Sequence, residues 1–265
     1  LLIIISSIAI SNPFLVDRAF YRMGFQEQIC FPNSDDVFQS DNVTNIAVAA
    51  DFGVTKNSVK TLENMHSSNP EVILIPGDLS YSTAKEWIEF AEFMGKTNIY
   101  IAFGDAEPME EREKLLEYYG LNNNYYSFDY ENVHFLSIDT TDEKNEWGII
   151  SDDKMQLNFI RTDLSHAYND PEIDFTIVIM HLPMYSSRDG DSFMDMRNEL
   201  QPIFDLYGVD LVLNGHRHAY ERTYPVMFNN IVTDNDDCLY DDPDGQIYLT
   251  VGTGGHSHSP FKQKQ

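Results

Sequence analysis

The feature that most narrows the fold is one that returns five times: a short apolar, largely β-prone run that ends on Asp or His. The five sites are Asp51-Phe52-Gly53, Gly77-Asp78-Leu79-Ser80-Tyr81, Gly104-Asp105-Ala106-Glu107, Val178-Ile179-Met180-His181 and Gly215-His216-Arg217-His218. Apolar runs of this kind, spaced by helical segments, read as buried strands of an α/β sheet. Polar groups at the carboxyl ends of such strands share one crevice. The five motifs are therefore expected to converge.

The intervening chain supports that layout. Ile46–Ala50 and Val72–Ile75 read as strands delivering Asp51 and Asp78, with a helix over 58–67 between them, an interval that suits one βαβ unit of about 30 residues. Helices are expected over 84–94, 109–119, 152–167 and 194–207, and strands over 99–103, 175–180, 209–213 and 247–251. The runs 125–130 and 133–138 read as a hairpin turning at Glu131-Asn132, where the sheet type changes. Alternating helices and buried strands followed by hairpin-forming strands predict two packed sheets flanked by helices.

Outside this region the chain reads differently. Residues 1–11 open with LLIIISSIAI, too short for a membrane span of ~20 residues but fitting a signal-peptide apolar region, with Ala9-Ile10-Ser11 as a small-residue cleavage site. A longer anchor cut at its start would look the same. The expectation is export to the outside of the cell or to its surface. Residues 12–43 lack periodicity and read as an N-terminal arm, leaving 44–265 as the folded domain. The chain stops soon after Gly255 without a clear closing element, as a fragment would. Asn42-Val43-Thr44 matches a glycosylation sequon. Cys30 and Cys238 lack metal-site spacing, which leaves one disulfide or two thiols.

With 17 basic against 43 acidic residues, the net charge of −26 opposes binding to nucleic acid or to an anionic membrane, except through an N-terminal anchor. The acidic run 234–244 departs from the twelve-residue calcium-loop pattern and reads as a solvated loop closing on Pro-Asp-Gly.

A hydrolytic two-metal site needs cations about 3.5–4 Å apart, a bridging carboxylate and neutral imidazoles. Asp78, ending a central strand, is the natural bridge. His216 and His218, two apart on a turn, can each reach a different ion, and His181 ends the preceding strand. Singly, each Asp reads as a helix or turn cap and each His as structural; the ordered set reads as a metal centre.

Those motifs, in that order, resemble the calcineurin-type metallophosphoesterases, and specifically the purple acid phosphatase branch. General members carry Asp-x-His at the first motif. Here residue 53 is Gly, and Tyr81 in Gly-Asp-x-x-Tyr matches the missing imidazole, while VDLVLNGHRHAYERTYP extends the likeness over 209–225. The resemblance covers about residues 45–255. It implies a four-layer α/β/β/α sandwich of two mixed sheets flanked by helices. It implies that Asp51, Asp78, Tyr81 and His218 hold a first ion, Fe(III) by virtue of the Tyr81 phenolate. Asp78, Asp105, His181 and His216 would hold a second, which is Fe, Zn or Mn. It further implies a metal-bound hydroxide attacking the phosphate ester of a small molecule or phosphoprotein.

One motif departs from the family. Gly-Asn-His-Asp/Glu is replaced by Gly104-Asp105-Ala106-Glu107. Asp105 can still ligate but adds negative charge, and Ala106 lacks the imidazole that contacts phosphate and helps the leaving group depart. Losing a positioned acid costs about 10²–10⁴ in rate. A weakened or specialised hydrolase is expected, with water, His256 or His258 as substitute acid beside the metal-organising Asp78 and His216; the two histidines after the Gly-rich turn read either as groups at the site mouth or as part of a flexible tail. A catalytically inactive metal-binding surface domain that recognises a phosphorylated or protein ligand is the alternative. His134 reads as a packed or edge histidine. Arg217 and Arg222 read either as phosphate contacts or as partners of carboxylates, and Tyr185 as a substrate contact or a packing residue.

Overall fold

The computed structural model describes residues 44–94, 98–141, 154–187, 193–228, 230–232 and 243–257. Segment 1–11, the arm 12–43 with its Cys30 and Asn42, Cys238, most of the run 234–244 and His258 lie outside the described residues.

Strands β1 (Ile46–Val48), β2 (Val72–Pro76) and β3 (Asn98–Ala102) form one sheet in the order β1-β2-β3, parallel throughout. A larger sheet is built from β4 (Tyr126–Tyr130), β5 (Val133–Ser137), β6 (Phe175–Ile179), β7 (Leu211–Asn214), β8 (Tyr220–Arg222) and β11 (Ile247–Val251). Its order is β4-β5-β6-β7-β11-β8, parallel from β5 to β11, with antiparallel β4 and β8 at the edges. A short ribbon pairs β9 (Val226–Met227) with β10 (Asn230–Ile231).

The period of two along each strand explains the layering. In β2, Val72 and Leu74 face the other sheet, while Ile73 and Ile75 face helices, so both surfaces of the strand are buried and the run is continuously apolar. Val48, Leu74 and Ala102 meet Phe135, Ile179, Leu213 and Val251 between the sheets. Helices α1 (Lys56–Ser67), α2 (Ala84–Met94) and α3 (Met109–Tyr119) cover the small sheet, where Leu62, Trp87 and Leu115 are buried. Helices α4 (Lys154–Asn169) and α5 (Met194–Leu206) cover the large one through Ile160, Leu164, Leu200 and Phe204. This is an α/β/β/α stack, with only the larger of its two main sheets mixed.

Element ends differ from the sequence reading for a physical reason. The first apolar run leaves its own sheet before Ala50, whose N–H donates instead to Val251 O at 3.0 Å, in the opposite sheet. The sheets converge there. Strand β8 and the β9–β10 ribbon, at three and two residues per strand, are too short to carry a periodic pattern that would bound them in the sequence.

Candidate metal centre

Convergence of the sheets places their strand ends around one crevice. Asp51 follows β1, Asp78 follows the central β2 and Asp105 follows β3; opposite them His181 follows β6, and His216 and His218 follow β7. Asp51, Asp78, Tyr81 and His216 all have left-handed backbone, with φ of 62, 55, 59 and 66°. For a residue with a Cβ this costs roughly 1–2 kcal/mol each and persists only when neighbours enforce it. The enforcement is visible: Asp51 N, Phe52 N and Gly53 N donate to Gly77 O, Asp78 O and Leu79 O at 3.2, 3.0 and 2.9 Å. The first two motif loops are thus laced together beyond the end of the ladder. Gly77, at φ +83°, is needed as glycine, since a Cβ there would lie 2.5 Å from His181 Nδ1.

The seven side chains fall into two adjoining groups. In the first, Tyr81 Oη donates to Asp51 Oδ1 at 2.9 Å and lies 2.9 Å from His218 Nε2, which is 3.3 Å from Asp51 Oδ1. In the second, Asp105 Oδ1 lies 2.8 Å from His181 Nε2 and 3.0 Å from His216 Nδ1. Asp78 joins them, its Oδ1 being 3.2 Å from His181 Nε2. Asp105, His181 and His216, and likewise Asp51, Asp78 and His181, each offer ligand atoms within 4.8 Å of one another. The structure therefore separates His216 from His218, one to each group, as their spacing on the turn suggested.

Burial and mutual repulsion make this a costly arrangement without a cation. Burial, then the Asp51 and Asp105 charges, push the Asp78 carboxyl up against the opposing pull of His181. Burial disfavours the imidazolium of His181, but Asp78, Asp105 and Asp51 outweigh it and raise its pKa to about 10. Asp105 is held well below the usual carboxylate range, because bonds from His181 and His216 outweigh its burial. Burial and the Asp51 and Asp78 charges raise the Tyr81 phenol far above its ordinary value.

A metal fits this donor set. Asp51 Oδ2 is buried without a hydrogen-bond partner, a loss that a cation would make good. Donors ~2.1 Å from one ion and at right angles lie ~3 Å apart, the spacing seen in both groups. His181 Nδ1 is 2.8 Å from Pro76 O, which would hold the Nδ1 proton when a cation takes the place of the proton on Nε2.

Two residues to which the sequence pattern assigns no role of their own, Glu107 at the end of the altered motif and Arg112 beyond it, hold that motif in shape. Glu107 is buried and accepts from Gly104 N and Leu79 N, both at 2.6 Å, and from Asp78 N at 3.2 Å; burial raises its carboxyl to about 7. Arg112 is buried in α3 and donates to Asp139 Oδ2 at 2.8 Å, Gly104 O at 2.7 Å and Glu107 O at 3.1 Å. Ala106 contributes its main chain, N–H donating to Asp78 Oδ1 at 2.9 Å.

The remaining candidates are distributed as follows. His256 stacks on Tyr81, and His134 bridges Asp129 and Asp163, neither of which belongs to the two ligand groups. Tyr185 packs against Tyr248, with the Arg197 guanidinium over its ring at 4.5 Å. Arg217 lies in the turn between His216 and His218, and Arg222 in β8.

Residues 44–220 match the calcineurin-like phosphoesterase family. Purple acid phosphatase 18 of Arabidopsis thaliana is 31% identical over 235 residues, covering 79% of this chain and 49% of the relative. The phosphoenolpyruvate phosphatase of Allium cepa is 28% identical over 247 residues, covering 79% and 48%. Among solved structures, the purple acid phosphatase PPD1 from seeds of yellow lupin, Lupinus luteus, superposes with a TM-score of 0.62 at 19% identity, covering 83% of this chain and 46% of that one. The chain spans about half the length of these curated relatives. It belongs to the calcineurin-like phosphoesterase family, whose fold implies a dimetal centre, and to the purple acid phosphatase-like branch of it.

Proposed function

We propose that the chain is an exported phosphohydrolase with a dinuclear centre, in which Asp51, Asp78, Tyr81 and His218 hold one ion and Asp78, Asp105, His181 and His216 the other. The observation that carries this reading is the meeting of the two donor groups at Asp78, with Asp51 Oδ2 buried and unpartnered beside them. Bound ions would supply a nucleophile from water and neutralise charge on a phosphoryl group. As a phenolate Tyr81 would be a hard oxygen donor, which favours Fe(III) beside it. Fe, Zn or Mn suits the second set.

The chain's own residues set the limits of the chemistry. Asp78 faces both donor groups and fixes their separation. Asp105, a carboxylate where a neutral amide would serve, strengthens cation binding and lowers electrophilicity at the second position. Ala106 offers no proton to a departing oxygen, so water, His256 or His258 would have to supply it. Substrates whose leaving groups need little protonation, such as aryl or enol phosphates and anhydrides, are therefore favoured over alkyl monoesters. The name of the Allium relative, a phosphatase of an enol phosphate, accords with that class.

The apolar segment 1–11 supports export, and no helix among the described residues is long and apolar enough to cross a membrane. Asp105 and Ala106 also favour a second reading, a retired phosphatase domain that binds metal and recognises a phosphorylated or protein ligand. The discriminating experiment loads the protein with iron and zinc and measures aryl-phosphate and alkyl-phosphate hydrolysis. Turnover of the aryl ester is expected, with Ala106→His raising the alkyl rate about 10²-fold or more. No turnover from either protein with both sites filled would overturn the enzyme reading.

A further inference from the structure

The short segment after the β11 turn holds two side chains that no ligand assignment uses. Ser257 Oγ lies 2.7 Å from His218 Nδ1 and 3.3 Å from His256 Nδ1. The His256 ring lies flat on Tyr81, centroids 3.8 Å apart and planes within 5°, and meets His218 edge-on at 5.2 Å.

We propose that His256 and Ser257 form a positioning unit for the Tyr81–His218 half of the centre: Ser257 decides which His218 nitrogen faces the site, and His256 holds the Tyr81 ring in place. The proposal rests on the metal reading above. A neutral imidazole, the form that binds a metal ion, carries its lone pair on Nε2 when it donates through Nδ1 to an oxygen. For His218 that oxygen is the Ser257 hydroxyl, and Nε2 then points at Tyr81 Oη and Asp51 Oδ1. His181 is arranged in the same way by Pro76 O. The Ser257 hydroxyl, accepting from His218, has its single proton free for His256 Nδ1, which closes the chain of bonds.

The segment is tied to the ligand loops it serves. His256 N donates to Asp51 O at 3.0 Å, Gly254 N to Ala50 O at 2.7 Å, and Thr55 Oγ1, the N-cap of α1, to Gly255 O at 2.9 Å. Space for the ring is reserved as well. A Cβ on Gly53, which has φ +62°, would lie 2.7 Å from His256 Cδ2. A side chain merely resting on the surface would need neither the reserved space nor the shared serine.

The test uses iron-loaded full chain and reads iron per chain, iron affinity and the visible tyrosinate charge-transfer band. Ser257→Ala is expected to weaken iron binding about 10–100-fold, as loss of an outer bond to a ligating His does, with Ser257→Thr restoring it. His256→Ala should shift the band, and His256→Phe, which can still stack, should return it. Iron bound normally with an unmoved band in both alanine variants overturns the positioning unit and leaves the metal reading standing. Wild-type protein that takes up no iron overturns both.

Discussion

Arg112 illustrates how a single residue acts on the site from a distance. Its neighbours Glu110, Glu111, Glu113 and Lys114 make the sequence read as a solvated charged helix, yet its side chain is 2% exposed and pairs with Asp139, itself 7% exposed. Burial raises the Asp139 carboxyl while Arg112 opposes that rise. Removing one partner of a buried ion pair strands the other, at about 3–5 kcal/mol. Arg112→Met should therefore lower unfolding stability in urea by that amount. It should also loosen metal binding, because Gly104 O and Glu107 O lose their shared donor. The double variant Arg112→Met, Asp139→Leu should recover much of the stability, since neither charge of the pair is left buried without its partner. A single-variant loss below about 1 kcal/mol would show that water reaches Asp139. The ligands themselves were legible because each is a charged or imidazole residue at the end of an apolar run. Their left-handed backbone was not, since φ at Asp51 or His216 is imposed by hydrogen bonds from loops distant in sequence.

At the scale of elements, β5 is joined to its surroundings by a histidine. His134 Nδ1 lies 2.7 Å from Asp129 Oδ1 on β4, and Nε2 lies 2.9 Å from Asp163 Oδ2 on α4, whose other oxygen accepts from Ser127. His166 and Asp170 line the same cavity, of about 220 Å³. Burial would lower the His134 pKa, but the bonds and charges of Asp163 and Asp129 raise it overall. A raised histidine pKa contributes stability that is complete below the unfolded value of ~6.5 and lost as pH rises through the folded value. The wild-type urea midpoint should accordingly exceed that of His134→Gln most at pH below ~6.5, and the gap should close on going alkaline. Two charge-assisted bonds suggest roughly 1.5–3 kcal/mol, toward the low end because the Asp129 side chain is 59% exposed. A gap that stays constant with pH would mean that His134 is neutral and merely packed. The hairpin carrying it was readable from two β-prone runs and a two-residue turn, with Tyr130 opposite Val133 in the ladder. The β9–β10 ribbon, at two residues per strand, offers no period to read.

Across the whole molecule, the layered fold follows from strand and helix periodicity, whereas the meeting of the two sheets at the site depends on contacts such as Ala50 with Val251 that no local pattern encodes. Charge is the property that composition alone settles. A net charge of −26 sets up self-repulsion that opposes compaction and is screened by salt. Favourable surface pairs offset only part of it: Lys85–Glu89, Lys114–Glu111 and Arg161–Glu199, for example, are exposed or partly so, and such pairs each give about 0–1 kcal/mol. Screening should thus relieve more repulsion than it removes attraction. Held in chelator, so that cation binding at Asp51, Asp78 and Asp105 does not enter, the protein should gain roughly 2–6 °C in Tm between ~0.01 and ~0.5 M NaCl, equivalent to about 1–2 kcal/mol in a chain of this size. A Tm that falls over that range would mean that attractive pairs outweigh repulsion. The acidic surface would then be stabilising in its own right.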